Sequence, residues 1–261
     1  MKESGRITVF DLDTLEPVGE IPNAAANGTI VDPRSGHGFG SSKPVVMFDA
    51  KTLKTIKTID VEGGPDAILF DAFNQRVYIF SHVLPHATVI NTVDGSIAGT
   101  LDLGGMPEQA VADGQGHVYV DIRDRDNLAA IDVKNRILFA GCREPQTMVI
   151  LNADDGKILE TLPIGAGVDA AIFNPATMET FSSQVDGTLT VIREKSPTVF
   201  VVEQTVRTKQ SAKQMAWDSK TNRLLLIAAD YTPPATPPAA GAPAGNGVMV
   251  PDSFSILVVT Q

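Results

Sequence analysis

The chain has 261 residues, 43% of them hydrophobic, with 21 Lys and Arg against 31 Asp and Glu and a net charge of −10. Such a chain buries a core, but it carries no basic cluster and meets net repulsion from a polyanion, so nucleic acid is disfavoured as a partner. Its one cysteine, Cys142, excludes an internal disulfide and says little about compartment.

Residues 1–5 run straight into a strand pattern, with no charged-then-apolar leader, and no apolar run approaches about eighteen residues. Neither a signal peptide nor a membrane span is therefore expected on the chain as written. Residues 6–11 and 17–21 read as the third and fourth strands of a four-stranded unit whose first two strands come from elsewhere. Two full units follow, over 27–61 and 66–103.

The second unit is the clearest. It begins with a Gly-Gly-Pro-Asp turn at 63–66 and continues with the run 67–70, closed by Asp71. Runs at 77–80, 88–90 and, after Asp94-Gly95, 97–103 complete it. Short β-branched and aromatic runs separated by Gly, Pro, Asn and Asp predict an antiparallel meander. The residues closing the first strand of successive units, Asp32, Asp71, Asp113, Asn174 and Asp218, step by 39, 42, 61 and 44. Those closing the third strand, Asp11, Asp49, Asn91, Asp132, Asn152 and Arg193, step by 38, 42, 41, 20 and 41. A period near 40 with four strands per repeat is the signature of a β-propeller.

The irregular steps mark a break after residues 109–113, 118–122 and 128–132, which read as strands one to three. A fourth strand and the next first strand are absent there, and Ile137-Leu138-Phe139 opens a second strand. Regular units resume over 147–164 and 168–206. Strands one and two at 214–218 and 223–228, with a third-strand pattern at 254–260, predict a closing blade that joins the two termini. The expectation is one all-β domain over 1–261, a β-propeller of about six four-stranded antiparallel blades, or an incomplete seven-bladed ring, with about 23 strands. Within it, 231–252 is Pro/Ala/Gly-rich and reads as an extended mobile loop.

Thr-Val-Phe-Asp at 8–11 and Val-Met-Phe-Asp at 46–49, each followed by Thr-Leu, the Gly-Gly-x-Pro approach to a first strand, and Arg76-Val77-Tyr78-Ile79 resemble the YVTN-repeat, YncE-like β-propeller family. The resemblance covers nearly the whole chain apart from the Pro/Ala segment. It implies a WD40-like propeller with a periplasmic or extracellular location and, typically, seven blades. This chain is about five strands short of the 28 that seven blades contain. The motif is structural and implies no activity.

In a propeller the loops from strand four to strand one, and from strand two to strand three, emerge on one face around the channel mouth. Five residues before each first-strand marker stand Asn27, Asp66, Glu108, Asp169 and Lys213. Equivalent positions form a ring, so these residues are the candidate ligand-binding set, an electronegative funnel for a cation or cationic ligand. The plainer account is that short acidic side chains suit a turn before a strand.

His82 and His86 lie in a two-to-three loop on the same face. A metal would accept such a pair, but no helix enforces their spacing. Asp121, Arg123, Asp124, Arg125 and Asp126 form another such loop, self-paired by charge or offering protein contacts together with Arg143. His37 and His117 fall at the start of second strands and read as scaffold. Cys142 has no nearby base and reads as a partly buried thiol. Trp217 reads as core.

No phosphate-cradling loop and no Gly-x-Ser-x-Gly occurs. The expected function is a non-enzymatic exported scaffold, monomeric, binding a small molecule, cation or protein on the loop face. No cofactor beyond a divalent cation is expected. The alternative is a metal-dependent hydrolase similar to propeller lactonases, with Asp66, Glu108, Asp169 and His82 as ligands. A third is nucleic-acid binding at Arg123, Arg125 and Arg143.

Overall fold

One local device makes the strands of this chain. An Asp or Asn closes a strand, its side-chain oxygen accepts the backbone N–H two residues on, and the residue four positions on turns left-handed. Asp11, Asp49 and Asp71 accept in this way from Asp13, Lys51 and Phe73, each at 3.0 Å. Leu15, Leu53 and Gln75 then take φ of 61°, 57° and 58° and donate their N–H back to the carbonyl of the closing residue. Arg136, Met178 and Asn222 occupy the same place after Asp132, Asn174 and Asp218, and Gly36, Gly95 and Gly156 after Asp32, Asn91 and Asn152. Asx side chains stabilise such turns by replacing a backbone partner.

The computed structural model describes residues 5–122, 127–232 and 247–260. The charged residues Arg123, Asp124, Arg125 and Asp126 and most of the Pro/Ala segment lie outside the described residues. The ends of that segment are tied together: Tyr231 bridges Met249, and Thr232 N–H donates to Val248 O at 2.9 Å.

In chain order the strands are β1 (Arg6–Phe10), β2 (Pro17–Pro22), β3 (Thr29–Asp32), β4 (His37–Gly40), β5 (Val45–Asp49), β6 (Thr55–Ile59), β7 (Pro65–Asp71) and β8 (Arg76–Ser81). They continue as β9 (His86–Asn91), β10 (Ile97–Asp102), β11 (Pro107–Ala112), β12 (Val118–Ile122), β13 (Asn127–Asp132), β14 (Ile137–Cys142), β15 (Thr147–Asn152) and β16 (Ile158–Pro163). The last are β17 (Val168–Asn174), β18 (Glu179–Gln184), β19 (Thr188–Ser196), β20 (Val199–Arg207), β21 (Met215–Asp218), β22 (Arg223–Ala228) and β23 (Ser255–Val259). The protein is an all-β propeller of four-stranded antiparallel blades. Four sheets, β3–β6, β7–β10, β13–β16 and β17–β20, have four strands, β21–β23 makes a fifth blade of three, and β1–β2 and β11–β12 are two-stranded.

The first strands β3, β7, β11, β13, β17 and β21 stand side by side in that order. Apolar layers fill the spaces between adjacent sheets: Phe39 and Met47 meet Ile79 and Ile90, and Phe139 and Met148 meet Ile192 and Phe200. Phe181 and Leu189 pack with Leu224 and Leu226, and Trp217 stacks on Phe181 with centroids 5.7 Å apart. Burial of this kind drives the assembly.

Two sequence expectations need correction. Residues 128–132 are not a third strand: β13 pairs with β14 and is the innermost strand of its own blade, so β11–β12 is left as a half-blade. Read this way, no first strand is missing; among the described residues β12 has no third and fourth strands beside it. The termini also do not share a sheet. Among the described residues β1 and β2 pair only with each other, while β23 takes the third position beside β22. The hairpin instead wedges between two sheets. Ile7 and Val9 pack on Val46 and Phe48, and on the other side Phe10 stacks on Phe254 at 5.6 Å and Arg223 donates to Leu12 O.

Candidate functional site

The loops on one face bring Asp66, His82 and Glu108 together. Asp66 is the second residue of β7, Glu108 the second of β11, and His82 follows β8 in the loop to β9. His82 Nδ1 lies 2.9 Å from Asp66 Oδ2 and 3.7 Å from Glu108 Oε2, and one potential ligand atom from each residue falls within 4.8 Å of the others. The three side chains are 39%, 32% and 29% exposed, open enough to admit an ion and shielded enough to strengthen its field.

The backbone beneath the cluster is pinned. The Ser41 hydroxyl donates to Asp66 O from the neighbouring blade, and Asn27 Nδ2 donates to Pro65 O at 2.9 Å. His82 N–H donates to Gly64 O at 2.8 Å, while Ser81 Oγ accepts from Leu84 N–H at 3.0 Å, which fixes both ends of the His82 turn. Gly63 has φ of 77°, and a Cβ there would meet Ser81 Oγ at 2.2 Å, so only glycine fits this approach.

The rest of the ring is divided among other partners. Asn27 serves the Pro65 carbonyl. Asp169 is not in the cluster: its Oδ1 lies 3.4 Å from Arg143 Nη2 and its Oδ2 accepts from Gln214 Nε2 at 3.2 Å. Arg143 also donates Nε to Val168 O at 3.0 Å. Asp169, Lys213 and Gln214 line a separate cavity of about 210 Å³ floored by Ile227, Tyr231 and Phe254. Of the five equivalent positions, Asp66 and Glu108 thus meet at His82, while Asn27 and Asp169 are engaged elsewhere.

His86 opens β9 opposite Asp102 and stays outside the cluster. Arg123 and Arg125 lie outside the described residues. His37 and His117 sit on the opposite face, where His37 Nδ1 contacts Thr92 O and His117 Nδ1 contacts Asp113 Oδ2, each at 2.8 Å. Cys142 is half-buried at the end of β14.

One set of polar residues escaped sequence reasoning. On the face opposite the channel mouth, Asn135 Nδ2 donates to Asp132 Oδ2 at 2.7 Å and to Glu194 Oε1 at 2.8 Å. Burial first, and then the nearby Asp132 charge, push the Glu194 carboxyl up to about 7. No signal could have found it, because 132 and 194 lie on different blades and no repeat motif couples them.

Among the described residues no helix is long and apolar enough to cross a membrane. No protein-family model matches the chain, and no curated protein matches it. Solved structures do resemble it. A functionally unknown protein from Desulfotomaculum acetoxidans DSM 771 superposes with a TM-score of 0.71 at 11% identity, over 98% of this chain and 96% of that one. The RRP9 WD40 repeats give 0.68 at 11% identity over 85% and 80%. The β-propeller domain of Myceliophteria thermophila Cps50 (Swd1) gives 0.63 at 9% over 87% and 83%. At such identities the likeness establishes a WD40-like β-propeller and nothing finer.

Proposed function

We propose that this chain is a non-enzymatic binding propeller whose loop face holds a divalent cation between Asp66, His82 and Glu108 and, through it, an anionic group of a small molecule or protein. The observation that carries the reading is the convergence of one imidazole and two carboxylates from two sheets onto one spot. One nitrogen and two oxygens suit Zn²⁺ or Mn²⁺ better than Ca²⁺, which takes six to eight oxygens. Tetrahedral ligands about 2.1 Å from a zinc ion stand roughly 3.4 Å apart. The two separations measured from His82, 2.9 and 3.7 Å, straddle that value, and all three ligand atoms lie within 4.8 Å of one another. The YVTN-repeat assignment and an exported location belong to the same proposal and rest on the repeat motifs.

The test is metal analysis after exhaustive dialysis with zinc added, followed by calorimetric titration. One zinc per chain, lost in His82→Ala, supports the reading; equal binding by wild type and a His82→Ala/Glu108→Gln chain removes it.

A second reading is metal-dependent hydrolysis of a lactone. It is favoured by one feature: three protein ligands leave coordination positions open to substrate and water, as at catalytic zinc sites. Turnover of a simple lactone by the zinc-loaded chain, abolished in Glu108→Gln, would select this reading over passive binding.

A further inference from the structure

One position recurs in every complete blade, on the face opposite the channel mouth. Ala50, Thr92, Ala153 and Glu194 each follow the residue that closes a third strand in repeat phase. Each donates its N–H to the carbonyl of its own blade's left-handed turn residue, Gly36, Gln75, Arg136 or Met178, at 2.8–3.4 Å. At two seams the side chain at this position meets the carboxylate that closes the first strand of the preceding blade. Thr92 offers Asp32 a hydroxyl, whereas Glu194 offers Asp132 a second carboxyl. At a third seam Asp113 is met by the Arg136 guanidinium instead. A hydroxyl and a guanidinium donate at any ordinary pH; a carboxyl donates only while it holds a proton.

Asp132 and Glu194 are 2% and 4% exposed. Asn135 Nδ2 directs one hydrogen to each, and Asp132 Oδ1 also accepts the N–H groups of Lys134 and Asn135 at 2.9 and 3.3 Å. Glu194 Oε2 is buried without a hydrogen-bond partner among the described residues. A proton on the pair removes one of two like charges and gives Asp132 the donor that Thr92 gives Asp32. No cation replaces it. Glu179 and Glu203 pair with Arg193 at 2.6 and 2.7 Å, Arg136 is held by Asp113 and Asp154, and Lys134 and Lys195 are exposed. Burial and then the Asp132 charge put the Glu194 carboxyl at about 7. Once the proton leaves, two buried carboxylates share one amide group, and the exposed turn 133–135 is the part that can move to let water reach them.

We infer that the seam between blades β13–β16 and β17–β20 is a proton-operated latch: one proton shared by Glu194 and Asp132 holds it shut, and its loss parts the turn 133–135 from β19 while the other seams stay closed. The latch lies on the face opposite the cation cluster and is independent of it.

Amide hydrogen exchange on the full chain tests this, at about pH 5.5 and about pH 8.5 and corrected for the intrinsic rate at each pH. The expected result is that the N–H groups of Lys134, Asn135 and Glu194 lose about tenfold in protection at the higher pH, while those of Thr92 and Ala153, the same position at other seams, keep theirs. Glu194→Gln, whose amide reaches both Asn135 and Asp132 without a titrating proton, should keep the seam protected at both values. Asp132→Asn should do the same, since Asn152 and Asn174 close equivalent turns. Protection of the seam that does not change with pH in wild type overturns the proposal. So does a loss shared equally by Thr92 and Ala153, which marks a change of the whole fold, or a loss that persists undiminished in both variants.

Discussion

Arg136 Nη1 donates to Asp113 Oδ2 at 2.6 Å, joining the half-blade β11–β12 to the next blade across the break in the repeat. The same guanidinium donates Nη2 to Tyr119 OH at 2.8 Å and Nε to Asp154 Oδ1 at 2.9 Å. Burial would raise the Asp113 carboxyl, but N–H bonds from Gln115 and His117, with Arg136, overcome it and hold the group well below the usual carboxylate range. Arg136→Met strands a buried carboxylate and should cost about 3 kcal/mol in urea unfolding. The His117 contact at 2.8 Å keeps the loss from being larger. Asp154→Asn, at a side chain 62% exposed, should change stability by less than about 0.5 kcal/mol.

Glu194 sets the opposite pH dependence. Its folded-state pKa of about 7 lies above the ordinary 4.5, so the folded chain retains a proton that the unfolded chain gives up. That contribution is complete below about pH 4.5 and is lost as pH rises through about 7. Wild type should thus be less stable at pH 8 than at pH 5 by about 2 kcal/mol. Glu194→Gln, which keeps the contact to Asn135 and has no proton to lose, should flatten that slope. Urea midpoints at the two pH values measure it; an unchanged slope in the variant removes Glu194 as its source.

The break in the repeat was visible in the sequence, but its assignment was not, and the turn chemistry explains why. Asp71 closes a first strand and Asp49 a third with the same side-chain acceptor and the same left-handed fourth residue. Asp132 therefore carries no mark of which hairpin it belongs to, and phase counted from 49 and 91 placed it on a third strand. Packing decided otherwise, because β13 settles between β11 and β17. Asp66 and Glu108 were legible as equivalents in phase, since first strands repeat faithfully. The departure of Asp169 was not, because Arg143 reaches it from the loop between β14 and β15, whereas the basic residue of the equivalent loop between β4 and β5, Lys43, donates to the Gly63 carbonyl instead.

Gly63 tests how far the cation cluster depends on its loop. A side chain there must take φ of 77° and collide with Ser81 Oγ, the group that anchors the turn carrying His82. Gly63→Ala should cost about 1–3 kcal/mol and weaken zinc binding in parallel. Gly36→Ala supplies the control. Its φ is 73° and its Cβ meets nothing within 4 Å, so it should lose about 1 kcal/mol with zinc affinity unaltered. Thermal unfolding and calorimetry on the two variants separate backbone strain from damage to the site.

The cluster also predicts a linkage between zinc and stability that singles out its members from the rest of the ring. A ligand that binds only the folded chain stabilises it by about 2.7 kcal/mol at a hundred times its dissociation constant. Zinc at that excess should raise the unfolding free energy of wild type by this amount, and by close to nothing in His82→Ala. Asp169→Asn should respond as wild type does, because Asp169 is engaged by Arg143 and Gln214 instead. Ser41→Ala removes no ligand. It frees the Asp66 carbonyl that the hydroxyl holds, so an intermediate loss of about tenfold in affinity is expected, as for groups that orient metal ligands from behind. Equal zinc stabilisation in all four chains would mean that the ion binds elsewhere, whereas the graded order places it between β7 and β11.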